Sequence, residues 1–164
     1  MANLNGSIAL VTGASRGIGK AIAERLVADG ATVIGTATSE NGAQAISEYL
    51  QGSGEGKVLN VADPDSMQSL LSDINEKHGS VDILINNAGI TYNSLFQMSS
   101  EMNLRENLDV NFIGPFILTQ YITKIMLRNG GGSIVSIASS AAIDGNSGRS
   151  AYGASKAALI TAMK

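Results

Sequence analysis

The sequence predicts an α/β fold in which helices cover both faces of one parallel sheet. Short apolar runs rich in β-branched residues alternate with helical patterns along the 164-residue chain. The first of these runs turns directly into a helix through a glycine-rich turn. No internal repeat or low-complexity linker interrupts this β-α-β-α order, which is typical of a doubly wound, Rossmann-type sheet in a single domain over residues 1–164.

Turn and capping residues set the boundaries of the predicted elements. Gly30 is a natural C-cap for the first helix, and Ser39 suits the N-cap of the second. Asp63 and Pro64 supply an N-cap and a first helical position for the third helix. The predicted strands are residues 8–11, 31–37, 57–61, 81–85 and 133–138, and the predicted helices are about 16–29, 40–50, 64–78, 102–127 and 151 onward, with a glycine-rich loop at 51–56.

The order of the strands follows from the handedness of their connections. Crossovers between parallel strands are right-handed, which restricts the arrangements that an alternating chain can adopt. We expect the order 3-2-1-4-5. In a sheet of this order the connections change direction between strands one and four, and a ligand crevice is expected there.

The turn after the first strand has the composition of an anion site. Gly13, Gly17 and Gly19 follow the strand at once and lead into a helix. The first N–H groups of that helix have no helical partner, and the positive end of the dipole lies beside them, so a pyrophosphate is an expected ligand. Glycine at these positions permits unusual φ angles and close approach of phosphate and sheet. The spacing G-x-x-x-G-x-G departs from the standard dinucleotide fingerprint, and a simple tight turn is the alternative.

Composition and charge exclude several classes of function. The net charge is −3 and no basic run is present, so neither nucleic acid nor an anionic membrane is an expected partner. The absence of cysteine excludes disulfides, thiolate zinc sites and a cysteine nucleophile, and it agrees with a cytoplasmic location. The single histidine, His78, precedes Gly79 and is expected to cap a helix rather than bind a metal. No signal peptide is recognisable, and no apolar run approaches membrane-spanning length.

The end of the second strand predicts which nicotinamide cofactor is bound. In proteins specific for NAD, an acidic residue at this point binds the 2′-hydroxyl of the adenosine ribose. Here Thr38 and Ser39 follow the strand, and no carboxylate occurs before Glu40. Arg16 in the glycine turn could pair with a 2′-phosphate. We therefore expect NADPH; the alternative is that Arg16 is an ordinary exposed arginine.

A tyrosine and a lysine four residues apart suggest a proton donor. Reduction of a ketone by hydride transfer leaves an alkoxide that needs a proton, and a tyrosine hydroxyl with a pKa of about 10 is a weak acid at neutral pH. On a helix, Lys156 lies beside Tyr152, and its charge would lower the pKa of the tyrosine. Ser139 stands upstream at a predicted strand end. The alternative for the pair alone is two surface residues.

These motifs together resemble the short-chain dehydrogenase/reductase family. The resemblance extends from the glycine turn at 12–19, through the Asn-Asn-Ala-Gly stretch at 86–89, to the Tyr-x-x-x-Lys pair. Within the family, residues 8–63 look most like bacterial 3-oxoacyl-(acyl-carrier-protein) reductases. The resemblance implies NADPH-dependent reduction of a ketone such as a 3-oxoacyl thioester. A broad carbonyl reductase is the second reading, and an inactive cofactor-binding or oligomerising protein is the third.

The resemblance also implies roles for individual residues. Tyr152 is the acid, Lys156 binds the nicotinamide ribose, and Ser139 hydrogen-bonds the substrate carbonyl. Asn111 anchors a water that relays protons, and Pro115, which lacks an N–H, would leave the Asn111 carbonyl free for it; a simple helix bend is the alternative. The residues expected to bind the cofactor are Gly13, Ser15, Arg16, Gly17, Ile18, Gly19, Thr38, Asn60, Val61, Asn87, Ala88, Gly89, Tyr152 and Lys156.

Two departures limit what the resemblance implies. The carrier-protein reductases tend to have a basic cluster at the end of the long helix, whereas only Lys124 and Arg128 are basic there, which argues against docking on a carrier protein. The chain also ends at Lys164 without a helix stop signal, and family members continue well beyond this point. We therefore expect a truncated domain that lacks the last strands, has little activity alone and forms a homo-oligomer.

Overall fold

The computed structural model describes residues 3–164, whose five strands form one parallel sheet. The strands are β1 (Ile8–Val11), β2 (Thr32–Ala37), β3 (Gly54–Val58), β4 (Ile83–Asn86) and β5 (Ser133–Ser136). The helices are α1 (Gly17–Ala28), α2 (Glu40–Leu50), α3 (Pro64–Lys77), α4 (Glu101–Leu108), α5 (Gly114–Arg128) and α6 (Ser150–Ala162). The order β3-β2-β1-β4-β5 confirms the predicted strand order and the doubly wound α/β class.

β1 lies at the centre of the sheet because it is apolar on both faces. Ala9, Leu10 and Val11 are fully buried. Successive side chains of a strand point to opposite faces, so Leu10 joins the core that contains the buried residues of α3 and α5. Ala9 and Val11 join the second core, beneath α1 and α2. β1 pairs with β2 on one side and β4 on the other, which places the expected crevice at its carboxyl end.

The third strand begins earlier than predicted. Residues 57–61 were expected to form it after a loop at 51–56, but β3 spans Gly54–Val58 and pairs with β2 from Val33 to Ala37. A glycine occupies position 56 because the backbone is crowded at this point. A Cβ added to Gly56 would lie 1.8 Å from the Ala43 carbonyl oxygen on α2. Gly56 therefore marks close packing of β3 against α2 and not a loop.

The predicted helix at 102–127 is interrupted in its middle. α4 and α5 are joined by a π-helical segment, Asp109–Ile113, in which the Gly114 N–H bonds the Asp109 carbonyl five residues earlier. Pro115 follows and has no N–H to donate, which explains a change of hydrogen-bond pattern at this point. The helix also lies very close to the chain after β3, since a Cβ on Gly114 would lie 2.4 Å from the Val61 carbonyl oxygen. The expected bend is therefore a π-bulge that contains Asn111.

The helical stretch Glu101–Arg128 is long and apolar enough to cross a membrane by length and composition, because an 18-residue window within it has a mean hydropathy of 1.2. The expectation that no apolar run reaches this length is wrong for this stretch. Leu118, Ile122 and Met126 of α5 pack in the core on the sheet. The core helix of a soluble protein passes the same test, so the observation is weak evidence for a membrane span.

The remaining boundaries lie within two residues of the predicted ones. Ser39 caps α2 by accepting a hydrogen bond from the Gly42 N–H at 3.2 Å, and Asp63 caps α3 by accepting one from Asp65 at 3.0 Å. His78 occupies the C-cap of α3 as expected. Its imidazole, however, lies 3.3 Å from the Glu55 carboxylate on β3.

Candidate active site

The glycine turn between β1 and α1 has the backbone that the sequence predicts. Gly13 and Gly17 have φ angles of 66° and 57°, which favour glycine. A Cβ on Gly19 would lie 2.3 Å from the Gly13 carbonyl oxygen, so this glycine closes the turn upon itself. A Cβ on Gly17 would meet no atom within 4 Å, so this part of the turn faces open space. The turn therefore has room for a ligand directly above its backbone.

Thr12 and Asn87 join the ends of β1 and β4 at this crevice. The Thr12 hydroxyl accepts hydrogen bonds from the N–H groups of Asn87 and Ala88, both at 3.0 Å. The Asn87 amide donates to the carbonyls of Thr12 at 2.9 Å and Gly13 at 3.0 Å. Sequence reasoning missed Thr12, although its place between a buried strand and the first glycine of the turn was a usable signal.

The cleft above the turn has a volume of about 450 Å³. Twelve of the residues expected to bind the cofactor line it, and so do four that were not predicted, Ala37, Leu59, Ile90 and Val110. These four are apolar: Ala37 and Leu59 lie within predicted strands, and Ile90 and Val110 lie after the fourth strand and in the long helix, so no single-residue motif reveals them. The predicted residues in the lining are Gly13, Ser15, Arg16, Gly17, Ile18, Gly19, Thr38, Asn60, Val61, Asn87, Ala88 and Gly89.

One end of the cleft suits a 2′-phosphate. Arg16 and Thr38 are both exposed there, and Arg16 stands at the N-cap of α1 without a side-chain capping bond. In the described residues, 3–164, Arg16 takes part in none of the salt bridges. Its guanidinium is therefore available to an anion. The open Gly17 backbone and this cation together fit the phosphate groups of a nicotinamide cofactor.

Asn111 is fully buried and binds the loop that follows β4. Its side-chain oxygen accepts a hydrogen bond from the Ile90 N–H at 2.8 Å, and its amide nitrogen donates to the Ile90 carbonyl at 2.9 Å. The same nitrogen lies 3.0 Å from the Ser155 hydroxyl on α6 and 3.3 Å from the Asn107 side-chain oxygen. Asn107 and Ser155 were not predicted. Asn111 therefore connects the cleft, the π-bulge and α6.

Lys156 brings α6 to the edge of the cleft. Its side chain is almost fully buried, and its ammonium donates to the Ile137 carbonyl, just after β5, at 2.8 Å. A Cβ on Gly89, which lines the cleft, would lie 3.5 Å from the Lys156 Nζ. Burial lowers the pKa of Lys156, because the charged form loses hydration. A cation is thus held beside the cleft at low dielectric.

Ser139 and Tyr152 lie on segments that pack against each other. Ser139 follows β5 and caps a short 3₁₀ turn, Ser140–Ala142, by accepting the Ala141 N–H at 3.2 Å. Tyr152 is half-buried in the first turn of α6, one helical turn before Lys156. A Cβ on Gly153 would lie 2.8 Å from the Ala141 carbonyl oxygen, so α6 rests directly on this turn. The segments that carry the four predicted catalytic residues therefore meet near the carboxyl ends of β4 and β5.

The chain is similar to known proteins over almost its whole length. Residues 7–164 match the family model described as short chain dehydrogenase. The 3-oxoacyl-[acyl-carrier-protein] reductase FabG of Escherichia coli (strain K12) is 50% identical over 158 residues, which are 96% of this chain and 65% of that protein. The reductase of the same name from Vibrio harveyi is 47% identical, with the same two shares.

A solved structure is also similar to this chain. The crystal structure of a short-chain dehydrogenase from Streptomyces avermitilis matches with a TM-score of 0.90 at 38% identity. The match covers 94% of this chain and 57% of that one. The chain thus spans about two thirds, or less, of the length of the proteins that it resembles.

Proposed function

The chain belongs to the short-chain dehydrogenase family, and from that premise we propose that it uses NADPH to reduce a ketone to an alcohol. The observation that carries this proposal is the proximity of the two halves of the site. Gly89 lines the cleft above the glycine turn, and a Cβ added to it would lie 3.5 Å from the Lys156 Nζ. A cofactor bound on the glycine turn would therefore extend toward the helix that carries Tyr152.

In this proposal, different residues of the chain bind the cofactor and transfer the proton. The N–H groups of the glycine turn bind the pyrophosphate, and Arg16 binds the 2′-phosphate. NADPH supplies the hydride when it is bound. Ser139 donates a hydrogen bond to the ketone oxygen, and Tyr152 gives its proton to that oxygen as the alkoxide forms. Lys156 binds the nicotinamide ribose and favours the ionised tyrosine by its charge.

Asn111 supports the supply of protons in this proposal. Its side-chain amide is already engaged by Ile90 and Ser155, so its main-chain carbonyl is the group proposed to hold a water. The π-bulge supports this assignment, because Pro115 has no N–H with which to bond that carbonyl in the normal helical pattern. A water at this point would pass protons to Lys156.

A 3-oxoacyl thioester is the proposed substrate. The support is the identity of 50% and 47% to reductases that carry this substrate in their names. Only Lys124 and Arg128 are basic along the last turns of α5. We therefore propose that the chain accepts the thioester without strong attraction to an acidic carrier protein.

We further propose that residues 1–164 form a single NADP-binding domain of a cytoplasmic homo-oligomer. Ile113, Phe116 and Leu127 on the long helix expose between 38% and 74% of their surface. Apolar side chains exposed along one helix favour contact with another subunit. Sedimentation at several protein concentrations tests this, and a chain that remains monomeric at all of them would contradict it.

The experiment that tests the proposed reaction is the change of Tyr152 to Phe. In this chain completed with the C-terminal segment of a relative, the variant keeps the ring but loses the proton, so NADPH-dependent reduction of acetoacetyl-CoA should fall on the order of 100-fold or more. The Kd of NADPH, measured by fluorescence, should stay within about twofold, because the glycine turn is untouched. A variant that keeps most of the activity would contradict the assignment of Tyr152.

The same assay separates the alternatives. Faster reduction of acetoacetyl-CoA than of small free ketones would support the thioester as substrate, and the reverse would favour a broad carbonyl reductase. A completed chain that binds NADPH but reduces neither substrate would favour an inactive cofactor-binding protein. Failure to bind NADPH would contradict the proposal as a whole.

A further inference from the structure

Tyr49 connects helix α2 to the glycine turn of the cofactor cleft. Its hydroxyl donates a hydrogen bond of 2.8 Å to the carbonyl oxygen of Ala14, a residue 35 positions earlier in the chain. Ala14 lies inside the turn and is fully buried. Its own N–H donates to the Thr36 carbonyl at the end of β2, also at 2.8 Å. The two polar groups of Ala14 are therefore held by two different elements.

The bond from Tyr49 fixes the direction of the next backbone donor. The described residues contain no cis peptide bond, and in a trans peptide the C=O and the following N–H point in opposite directions. Because the Ala14 oxygen is turned toward Tyr49, the N–H of Ser15 points away from it. Ser15 lines the cleft, whereas Tyr49 does not. The Tyr49 hydroxyl thus directs this N–H to the side on which the ligand is proposed to bind.

Side chains other than Tyr49 support only the start of the turn, where the Asn87 amide donates to the Gly13 carbonyl at 3.0 Å and the Thr36 hydroxyl accepts from the Gly13 N–H at 3.4 Å. Gly13 and Gly17 adopt left-handed backbone angles, and Arg16 at the N-cap of α1 makes no side-chain capping bond. A chain rich in glycine has many accessible conformations, so the bound one must be selected by its neighbours. Packing contributes beneath Ala14, where a Cβ on Gly35 would lie 3.1 Å from the Ala14 Cβ.

The surroundings of the Tyr49 ring keep its hydroxyl a donor. The ring is half-buried, and the Lys20 ammonium lies 4.8 Å from its centroid. Burial and the nearby charge of Glu24 raise the pKa of Tyr49 to about 12. The hydroxyl therefore retains its proton at neutral pH and continues to donate to Ala14.

We propose that Tyr49 is a positioning residue for the anion site and holds the Ala14–Ser15 peptide in the orientation that binds the pyrophosphate of NADPH. It touches neither cofactor nor substrate and acts only through this peptide. The inference rests on the proposed function for the identity of the ligand. The orientation of the peptide itself is inferred from the hydrogen bond between the Tyr49 hydroxyl and the Ala14 carbonyl.

The test is the change of Tyr49 to Phe, which removes the hydroxyl and keeps the ring over which Lys20 lies. The Kd of NADPH should rise roughly three- to tenfold, the effect of one net hydrogen bond. The Kd of 2′-AMP, which has the 2′-phosphate but no pyrophosphate, should stay within about twofold in a competition experiment. In the cofactor-free chain, amide hydrogen exchange at residues 14–17 should become faster, while that of α3 stays unchanged.

A matched control is the same change at Tyr121 on α5, whose ring also has a lysine ammonium, from Lys124, at 5.5 Å. Tyr121→Phe should alter neither the two Kd values nor the exchange in the turn. Equal weakening of NADPH and 2′-AMP by Tyr49→Phe, or no change in Kd and exchange, would overturn the proposal. If the wild-type chain did not bind NADPH, the proposed function would fail, and the exchange measurement alone would still decide whether Tyr49 orders the turn.

Discussion

At the scale of single residues, Asn111 holds together parts of the chain that are far apart in sequence. Its amide satisfies both backbone groups of Ile90 and also contacts Ser155, which lies 44 residues further on. Because Asn111 is fully buried, water does not readily replace these bonds when the amide is removed. An asparagine inside an apolar helix is therefore retained here by its partners and not by helix propensity.

We predict that Asn111→Ala lowers the free energy of unfolding by about 1–3 kcal/mol, because it leaves buried polar groups unpaired. Urea unfolding measures this effect. Asn129→Ala is the matched control, since the Asn129 amide bonds the Ile125 carbonyl at 3.0 Å from an exposed position. The control should change stability by less than about 0.5 kcal/mol. Equal effects of the two changes would contradict the role given to Asn111.

At the scale of elements, a charged cluster attaches the edge strand β3 to helix α3. The Lys57 ammonium on β3 lies 2.6 Å from the Asp73 carboxylate on α3 and 3.0 Å from Glu55. Lys77 on α3 contacts both acids as well, at 3.1 and 3.7 Å. β3 has no strand on its outer side among the described residues, so this cluster supplies part of what holds the edge in place.

The pKa values of the two acids predict how the cluster responds to pH. The Lys57 hydrogen bond lowers the pKa of Asp73. Desolvation would raise the pKa of Glu55, but hydrogen bonds from Lys57 and His78 outweigh it, and the net direction is down. An acid with a lowered folded-state pKa contributes stability above its unfolded pKa, about 4 for these residues, and loses it as the pH falls through the folded value.

We therefore predict that the free energy of unfolding falls as the pH is lowered from about 5 to about 3, and that Lys57→Met makes this dependence shallower. Urea unfolding at a series of pH values measures it. Arg105→Met is a suitable control, because its partner Glu101 lies on the same exposed helix. A Lys57→Met variant with the wild-type pH dependence, or an Arg105→Met variant that loses it, would show that the cluster does not act in this way.

At the scale of the whole molecule, periodicity and turn chemistry were enough to predict the sheet. The buried run at 8–11 and the glycines after it determine where the crevice lies, and the strand order follows from the alternation of elements. The extent of β3 was not predictable in the same way, since Gly54 and Gly56 signal a loop unless the nearby backbones of β2 and α2 are known. The π-bulge likewise depends on how closely Gly114 approaches Val61.

In the candidate site, too, local sequence motifs were predictable, whereas contacts between residues distant in sequence were not. The glycine turn and the Tyr152–Lys156 pair are local patterns, and from them the sequence predicts a single site. Thr12, Tyr49 and Ser155 were missed because their hydrogen-bond partners are 35 to 76 positions away. No local sequence pattern marks such residues. They become recognisable only when the fold brings the partner to them.

We propose that this fold provides the adenosine-phosphate half of an NADPH site. Arg16 and Thr38 stand where an NAD-specific protein has a carboxylate, and Arg16 is free to pair with a 2′-phosphate. Arg16→Ala should therefore bring the affinities for NADPH and NADH closer together without greatly changing the Kd of NADH.

The most direct test is a fluorescence titration of the 164-residue chain with NADPH and with NADH under identical conditions. We predict saturable binding of both, with NADPH favoured by about 2–3 kcal/mol through charged hydrogen bonds to its 2′-phosphate. Equal affinities, a preference for NADH, or no binding of either cofactor would contradict the account.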